Sequence, residues 1–230
     1  VFLPFIVYMG VDLIDLSMPF LAAASDIYFT KRGTINIQNL TNLPCACNAC
    51  SNFNNATELR NLPYEERFHV LVAHNIVTLF NVLYEVADAI KQGALWEVLE
   101  AYAYSMPILV AILRHLVRGF QDFLESNTPV FVKEKIFCTS PLSYYRPDVV
   151  RFRERIKKRY TPPKDISLVI FLPCSARKPY SSSPSHKLFH ERISKAAGEK
   201  ITAIHEVIIT SPLGIVPREL EMTYPCLLYT

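Results

Sequence analysis

Three cysteines inside one short run, Cys45-x-Cys47-x2-Cys50 in LPCACNACS, restrict the folding of this chain more than any other feature. Thiols this close in sequence do not build a framework of long-range disulfides. They converge on one ion, and they point to a reducing compartment, the cytoplasm, rather than a secreted scaffold. A metal there needs a fourth ligand, and the helical stretch that follows offers two candidates, His69 and His74. Three thiolates and one imidazole make the closed tetrahedral set of a structural Zn2+, with no open position for a reacting water.

The rest of the composition sets wider limits. Half of the 230 residues are hydrophobic and 20% are charged, which excludes a disordered or fibrous chain. The net charge of +3 names no partner, although RFRERIKKRY, Arg151 to Tyr160, sets six cations against one glutamate. No segment reads as a membrane span: VFLPFIVYMGVDLIDL carries Asp12 and Asp15, and MPILVAILRHLV carries Arg114 and His115. The first run also lacks the basic flank and cleavage site of a signal peptide. Both ends read as cut from something longer. Cys138 and Cys226 have no partner at metal spacing and read as structural.

Along the chain, FLPFIVYM reads as a short buried parallel strand ended by Gly10, which would put Asp12 and Asp15 at its carboxyl end. A hairpin is expected with its turn at Lys31–Gly33, then helix from about Asn55 to Gln92 with Gly93 as its cap. Pro107 marks a kink or a new helix start. The polar, proline-containing ESNTPV divides residues 1–126 from 127–230. In the second part, a basic helix is expected over 148–160. Two strands, ISLVIFL and HEVIIT, flank the helix SHKLFHERISKAAGE, an order that predicts a parallel pair with residues 173–186 at its carboxyl edge. SPLG, from Ser211, reads as a phosphate-contacting turn or a plain strand exit.

GVDLIDLS, YFTKRG, LPCACNAC and AHNI, in this order and spacing, resemble the tRNA-guanine transglycosylase family over roughly residues 1–118. The resemblance implies the C-terminal part of a TIM barrel with a zinc-binding subdomain, whose fourth ligand is the histidine of the His-Asn-hydrophobic triplet, His74. It also implies that Asp15 corresponds to the family's aspartate nucleophile, which attacks an anomeric carbon. Leu16 stands where that family has serine or cysteine.

In the second part, Pro-Cys-x3-Lys-Pro-Tyr-x2-Ser-x2-His is filled by Pro173, Cys174, Lys178, Pro179, Tyr180, Ser183 and His186. This is similar to the signature of the archaeosine synthase family, and HEVIITSPLGIVPRELE resembles the segment that follows there. The strand–helix–strand order makes this part a separate α/β domain with parallel strands. The resemblance implies a tRNA substrate carrying 7-cyano-7-deazaguanine, an amine donor such as lysine or glutamine, and amidine formation at the nitrile.

The residue types suit that chemistry. A cysteine at a strand end beside Arg177 and Lys178 is a nucleophile for a nitrile carbon. His186 is expected to move a proton, and Lys178 to hold the thiolate or a phosphate. Tyr180 is expected to stack on or bond the base, and Ser183 to bond the base or cap the following helix. His190 reads as a packing or surface residue. Arg151, Arg155 and Lys158 share a helix face suited to RNA phosphates or simply to solvent. Two other readings stand beside this one: base exchange through Asp15, and a zinc-containing subunit that binds tRNA without catalysis. The family's missing barrel and RNA-binding parts would come from a second copy or a partner chain.

Overall fold

A computed structural model describes residues 2–31, 33–132, 136–223 and 225, so Cys226 lies outside the described residues. The chain divides into two compact units, Val1–Leu113 and Arg114–Thr230. The boundary expected at 126/127 falls at the end of the helix Gln121–Ser126.

The first unit is mainly helical. Residues 2–9 are not a strand: Leu3–Tyr8 form a helix, α1, which buries Leu3, Pro4, Phe5 and Tyr8. Its proline stands in the first turn, where the missing N–H costs nothing and the fixed φ favours helix. The short apolar run was therefore misread, because periodicity cannot separate buried strand from buried helix over so few residues. α2, Ser17–Ala24, follows. β1, Ile27–Thr30, and β2, Gly33–Asn36, pair antiparallel as the expected hairpin. Among the described residues of this unit the hairpin is the only sheet, so no barrel strand is seen.

α3, Ala56–Arg60, is capped by Asn55, whose Oδ1 accepts from the Thr57 and Glu58 N–H groups. α4, Tyr64–Gln92, ends at Gly93 with φ 70°, a left-handed cap. By length and composition α4 is long and apolar enough to cross a membrane, a feature the sequence reading passed over. In this fold its inner face buries Leu71, Val72, His74, Asn75 and Val86. α5, Leu95–Ala103, and α6, Pro107–Gly119, complete the series, and the unit boundary falls inside α6.

In the second unit, α7, Gln121–Ser126, precedes α8, Pro147–Arg159, and a three-stranded sheet. β3, Leu168–Pro173, runs parallel to β4, Ile204–Thr210, as expected, and α9, Pro184–Ala197, makes the crossover. β5, Gly214–Pro217, was not foreseen; it pairs antiparallel with β4 after a turn over residues 211–213, and Gly214, at φ +86°, opens the strand. Val149, Phe152, Tyr180, Ile208, Leu213 and Val216 form the core, with Cys138 packed against it.

Arg151 leaves the expected basic stripe. It is buried, with Nε 2.6 Å from Glu125 Oε1, and it donates to the Pro129 and Thr128 carbonyls at 2.7 Å each. A guanidinium has five donors, and these carbonyls and a carboxylate satisfy them better than a solvent-facing phosphate site would. Arg155, Lys158 and Arg159 remain exposed.

Candidate functional site

The first cluster is built by α4 and the loop before α3. One donor atom from each of Cys45, Cys47, Cys50 and His74 lies within 4.8 Å of the others. His74 Nδ1 is 3.3 Å from Cys50 Sγ and 3.6 Å from Cys47 Sγ. Its Nε2 is 2.8 Å from the Phe29 carbonyl, a contact that places the ring proton there and turns the Nδ1 lone pair toward the thiols. Tyr28 stacks on the imidazole at 3.7 Å, and its hydroxyl is 3.4 Å from Cys50 Sγ. Asn75, next in sequence, accepts from the Phe29 N–H at 2.8 Å and donates to the Ile27 carbonyl at 3.0 Å. The His-Asn pair thus fastens the hairpin to α4 and fixes the ring. His69, the rival ligand, is exposed and stands outside the cluster.

The donor set fits a dication. Burial pushes the Cys50 thiol up to about 12 and raises that of Cys45. At Cys47 burial is outweighed by hydrogen bonds, led by the Cys50 N–H, and the thiol is lowered. Burial also lowers the pKa of His74, which favours the neutral form that ligates. Three thiols gathered this closely can be held together as thiolates by a cation. The set could hold a metal ion, and its three-sulfur, one-nitrogen chemistry is that of zinc.

Asp15 sits before α2 rather than at a strand end. Its carboxylate accepts from the Ser17 N–H at 2.7 Å and from the Ser17 hydroxyl, and these bonds hold its pKa below the usual 3.8. It lines a cavity of about 570 Å³ with Ile14, Met18, Phe29 and Met106.

In the second unit, Cys174 follows the last residue of β3 and is exposed, as is Arg177. The other motif members build the frame beneath them. Lys178 Nζ donates to the Ser175 carbonyl at 2.6 Å and lies 4.9 Å from the centre of the Tyr180 ring. Tyr180 is fully buried and donates to Thr210 Oγ1 at 2.9 Å, so its ring offers no face to a base. Ser183 caps α9, accepting from the His186 N–H at 3.2 Å, and is likewise buried. The capping alternative is the one the structure takes.

His186 is 1% exposed, with Nε2 2.9 Å from the Pro173 carbonyl and Nδ1 2.9 Å from Arg218. Both nitrogens are engaged, so the ring has none to offer a substrate proton. Burial first, then the Arg218 charge, lowers its pKa. His190, on the next turn, is exposed and meets Glu206 at 3.2 Å. Sequence reading missed Arg218, Glu206 and Glu221; a lone cation beyond a strand carries no local mark of being a hub.

These two arrangements match known proteins part by part. A family model described as queuine tRNA-ribosyltransferase matches residues 2–108, and one described as a domain of unknown function (DUF5591) matches residues 149–230. Over 223 residues the chain is 42% identical to archaeosine synthase subunit alpha of Methanosarcina acetivorans, covering 96% of this chain and 34% of that protein. The chain is a homologue of the archaeosine synthases. The Haloferax volcanii archaeosine synthase is 35% identical over 221 residues, with 96% and 34% covered. This archaeosine synthase homologue also resembles the tRNA-guanine(15) transglycosylase of Methanobrevibacter smithii, 33% identical over 220 residues, with 95% and 32% covered. It spans about a third of the length of these curated relatives.

Proposed function

We propose that this chain carries the amidine-forming centre of a cytoplasmic tRNA-modifying enzyme, with Cys174 as the nucleophile toward the nitrile of 7-cyano-7-deazaguanine in the tRNA D-loop. One observation supports this reading most: Cys174 stands exposed at the carboxyl end of a parallel strand while Tyr180, Ser183 and His186 of its motif are buried beneath it as framework. Open α/β sheets place ligands at that edge. The Cys174 sulfur attacks the nitrile carbon, a C–S bond forms, and one C≡N pair moves to nitrogen, which takes a proton, giving a thioimidate. An amine then adds to the same carbon, loses a proton, and the C–S bond breaks to return the thiolate. The sum is nitrile plus amine to amidine, and lysine or glutamine are the donors the family resemblance implies.

Arg177, exposed beside the nucleophile, meets the RNA in this reading, and Lys178 holds the Cys174 loop through Ser175. Cys45, Cys47, Cys50 and His74 hold a structural Zn2+. Nucleoside mass spectrometry on nitrile-bearing tRNA, incubated with lysine, glutamine and ammonium, tests the centre. A mass gain that disappears in Cys174→Ala supports it; an equal gain in that variant removes Cys174 from the chemistry.

A second reading rests on Asp15. Its carboxylate lines the 570 Å³ cavity, large enough for a purine-sized base, so base exchange through Asp15 is the alternative. Loss of guanine exchange in Asp15→Asn, with Cys174→Ala active, would favour it.

A further inference from the structure

The loop from Cys174 to Ser181 is held at both ends by one half-buried cation. Arg218, just past β5, is 23% exposed and sits against two carboxylates that are 9% and 8% exposed. Its Nε and one terminal nitrogen reach Glu206 Oε2 at 2.8 and 2.5 Å, and the other terminal nitrogen reaches Glu221 Oε2 at 3.2 Å. The nitrogen facing Glu206 is also 2.9 Å from His186 Nδ1.

A guanidinium only donates and does not deprotonate in proteins. His186 Nδ1 must therefore accept, and the ring proton must sit on Nε2. From there it donates to the Pro173 carbonyl at 2.9 Å. That carbonyl belongs to the peptide joining Pro173 to Cys174, so the bond fixes the plane from which the Cys174 side chain departs. The Tyr180 ring, 5.4 Å away, and the Phe189 ring, 5.5 Å away, hold the imidazole in place. At the other end of the loop, Glu221 Oε2 accepts the Ser181 N–H at 2.9 Å.

We infer that Arg218, acting through His186 at one end and Glu221 at the other, is the positioning residue that sets Cys174 for attack. The inference rests on the nucleophilic reading of Cys174. It also gives His186 a part different from proton transfer: one ring nitrogen reads Arg218 and the other holds the nucleophile's backbone. Misplacing a reacting group by about 1 Å costs on the order of a hundredfold in rate, so losing this brace is visible in kcat rather than in tRNA affinity.

His186→Gln separates bracing from proton transfer. A glutamine amide both donates and accepts, as this tautomer does, but does not titrate; His186→Leu does neither. In the nitrile-tRNA assay we expect His186→Leu and Arg218→Lys to lower kcat roughly a hundredfold at unchanged tRNA KM, since one ammonium cannot serve two carboxylates and an imidazole together. His186→Gln should recover to within about tenfold of the parent. A His186→Gln variant as slow as His186→Leu would overturn the inference in favour of proton transfer. Parent-like rates in His186→Leu and Arg218→Lys, with Cys174→Ala inactive, would overturn it while leaving Cys174 as nucleophile. Should Cys174→Ala stay active, the nucleophilic reading fails by itself, and amide exchange across 174–181 then decides the brace: faster exchange in His186→Leu but not His186→Gln supports it, and equal exchange in all three overturns it.

Discussion

The two cysteine sites of this chain use the same side chain in opposite ways. In the first unit the pattern converges, so that Cys45, Cys47, Cys50 and His74 meet within 4.8 Å. In the second unit the pattern splits: Cys174 and Arg177 face solvent, whereas Tyr180, Ser183 and His186 are buried as the scaffold beneath them. A ligand set is a convergence, and a motif around a nucleophile is a nucleophile plus its supports. The two demand different tests.

On the proposed assignment of a structural Zn2+, removing the metal should break the comparison most visibly. Structural zinc contributes on the order of 10–16 kcal/mol to folding of small zinc domains. Chelation, or Cys50→Ser, should abolish the melting transition of the first unit and leave that of the second in place, as followed by circular dichroism. Metal analysis of the purified chain should give one zinc per molecule, lost in His74→Ala but kept in His69→Ala.

Cys174→Ala should do the reverse. The side chain is exposed, so stability should hold to within about 0.5 kcal/mol, while amidine formation is lost. Equal melting with no product would show a cysteine serving chemistry alone.

The basic helix sharpens the contrast between support and contact. Arg151→Ala leaves Glu125 without its partner and frees the Thr128 and Pro129 carbonyls. It should cost about 3 kcal/mol, the low end for a broken buried pair because Glu125 is itself 41% exposed. Arg155→Ala should leave stability unchanged and reduce the log–log salt slope of tRNA binding by about 1. Tyr180→Phe removes the bond to Thr210 and should cost about 1 kcal/mol with no change in tRNA KM; a raised KM would return that ring to the base.

What could be read from the sequence follows the same division. The cysteine cluster was legible because three thiols so close in sequence must lie together, whereas spacing alone left His69 and His74 both open and the resemblance chose the one the fold brings to the thiols. The parallel pair β3–β4 was legible because a strand–helix–strand order of this length allows few other outcomes. α1 was misread, since Leu3–Tyr8 has too few residues to show a period. β5 was missed because Gly214–Pro217 is four residues long and is a strand only through its pairing with β4. Arg218 could not be found, since nothing near it in the chain marks its bond to His186, thirty-two residues away.

The smallest expected effect is a pH dependence, and it bears on that bond. The folded chain holds His186 below the usual 6.5, through burial and then the Arg218 charge. The unfolded chain therefore binds a proton at that ring at a higher pH than the folded chain does. The histidine's contribution to stability is present in full above 6.5 and is lost as the pH falls below it toward the folded value. The slope cannot exceed about 1.4 kcal/mol per pH unit for a single proton. Chemical denaturation of the parent and of His186→Gln across this range should converge in stability difference at neutral pH and diverge as the solution is acidified, with the parent losing more. Parallel curves would mean that protonated His186 is accommodated beside Arg218, and the tautomer on which the brace depends would not be fixed.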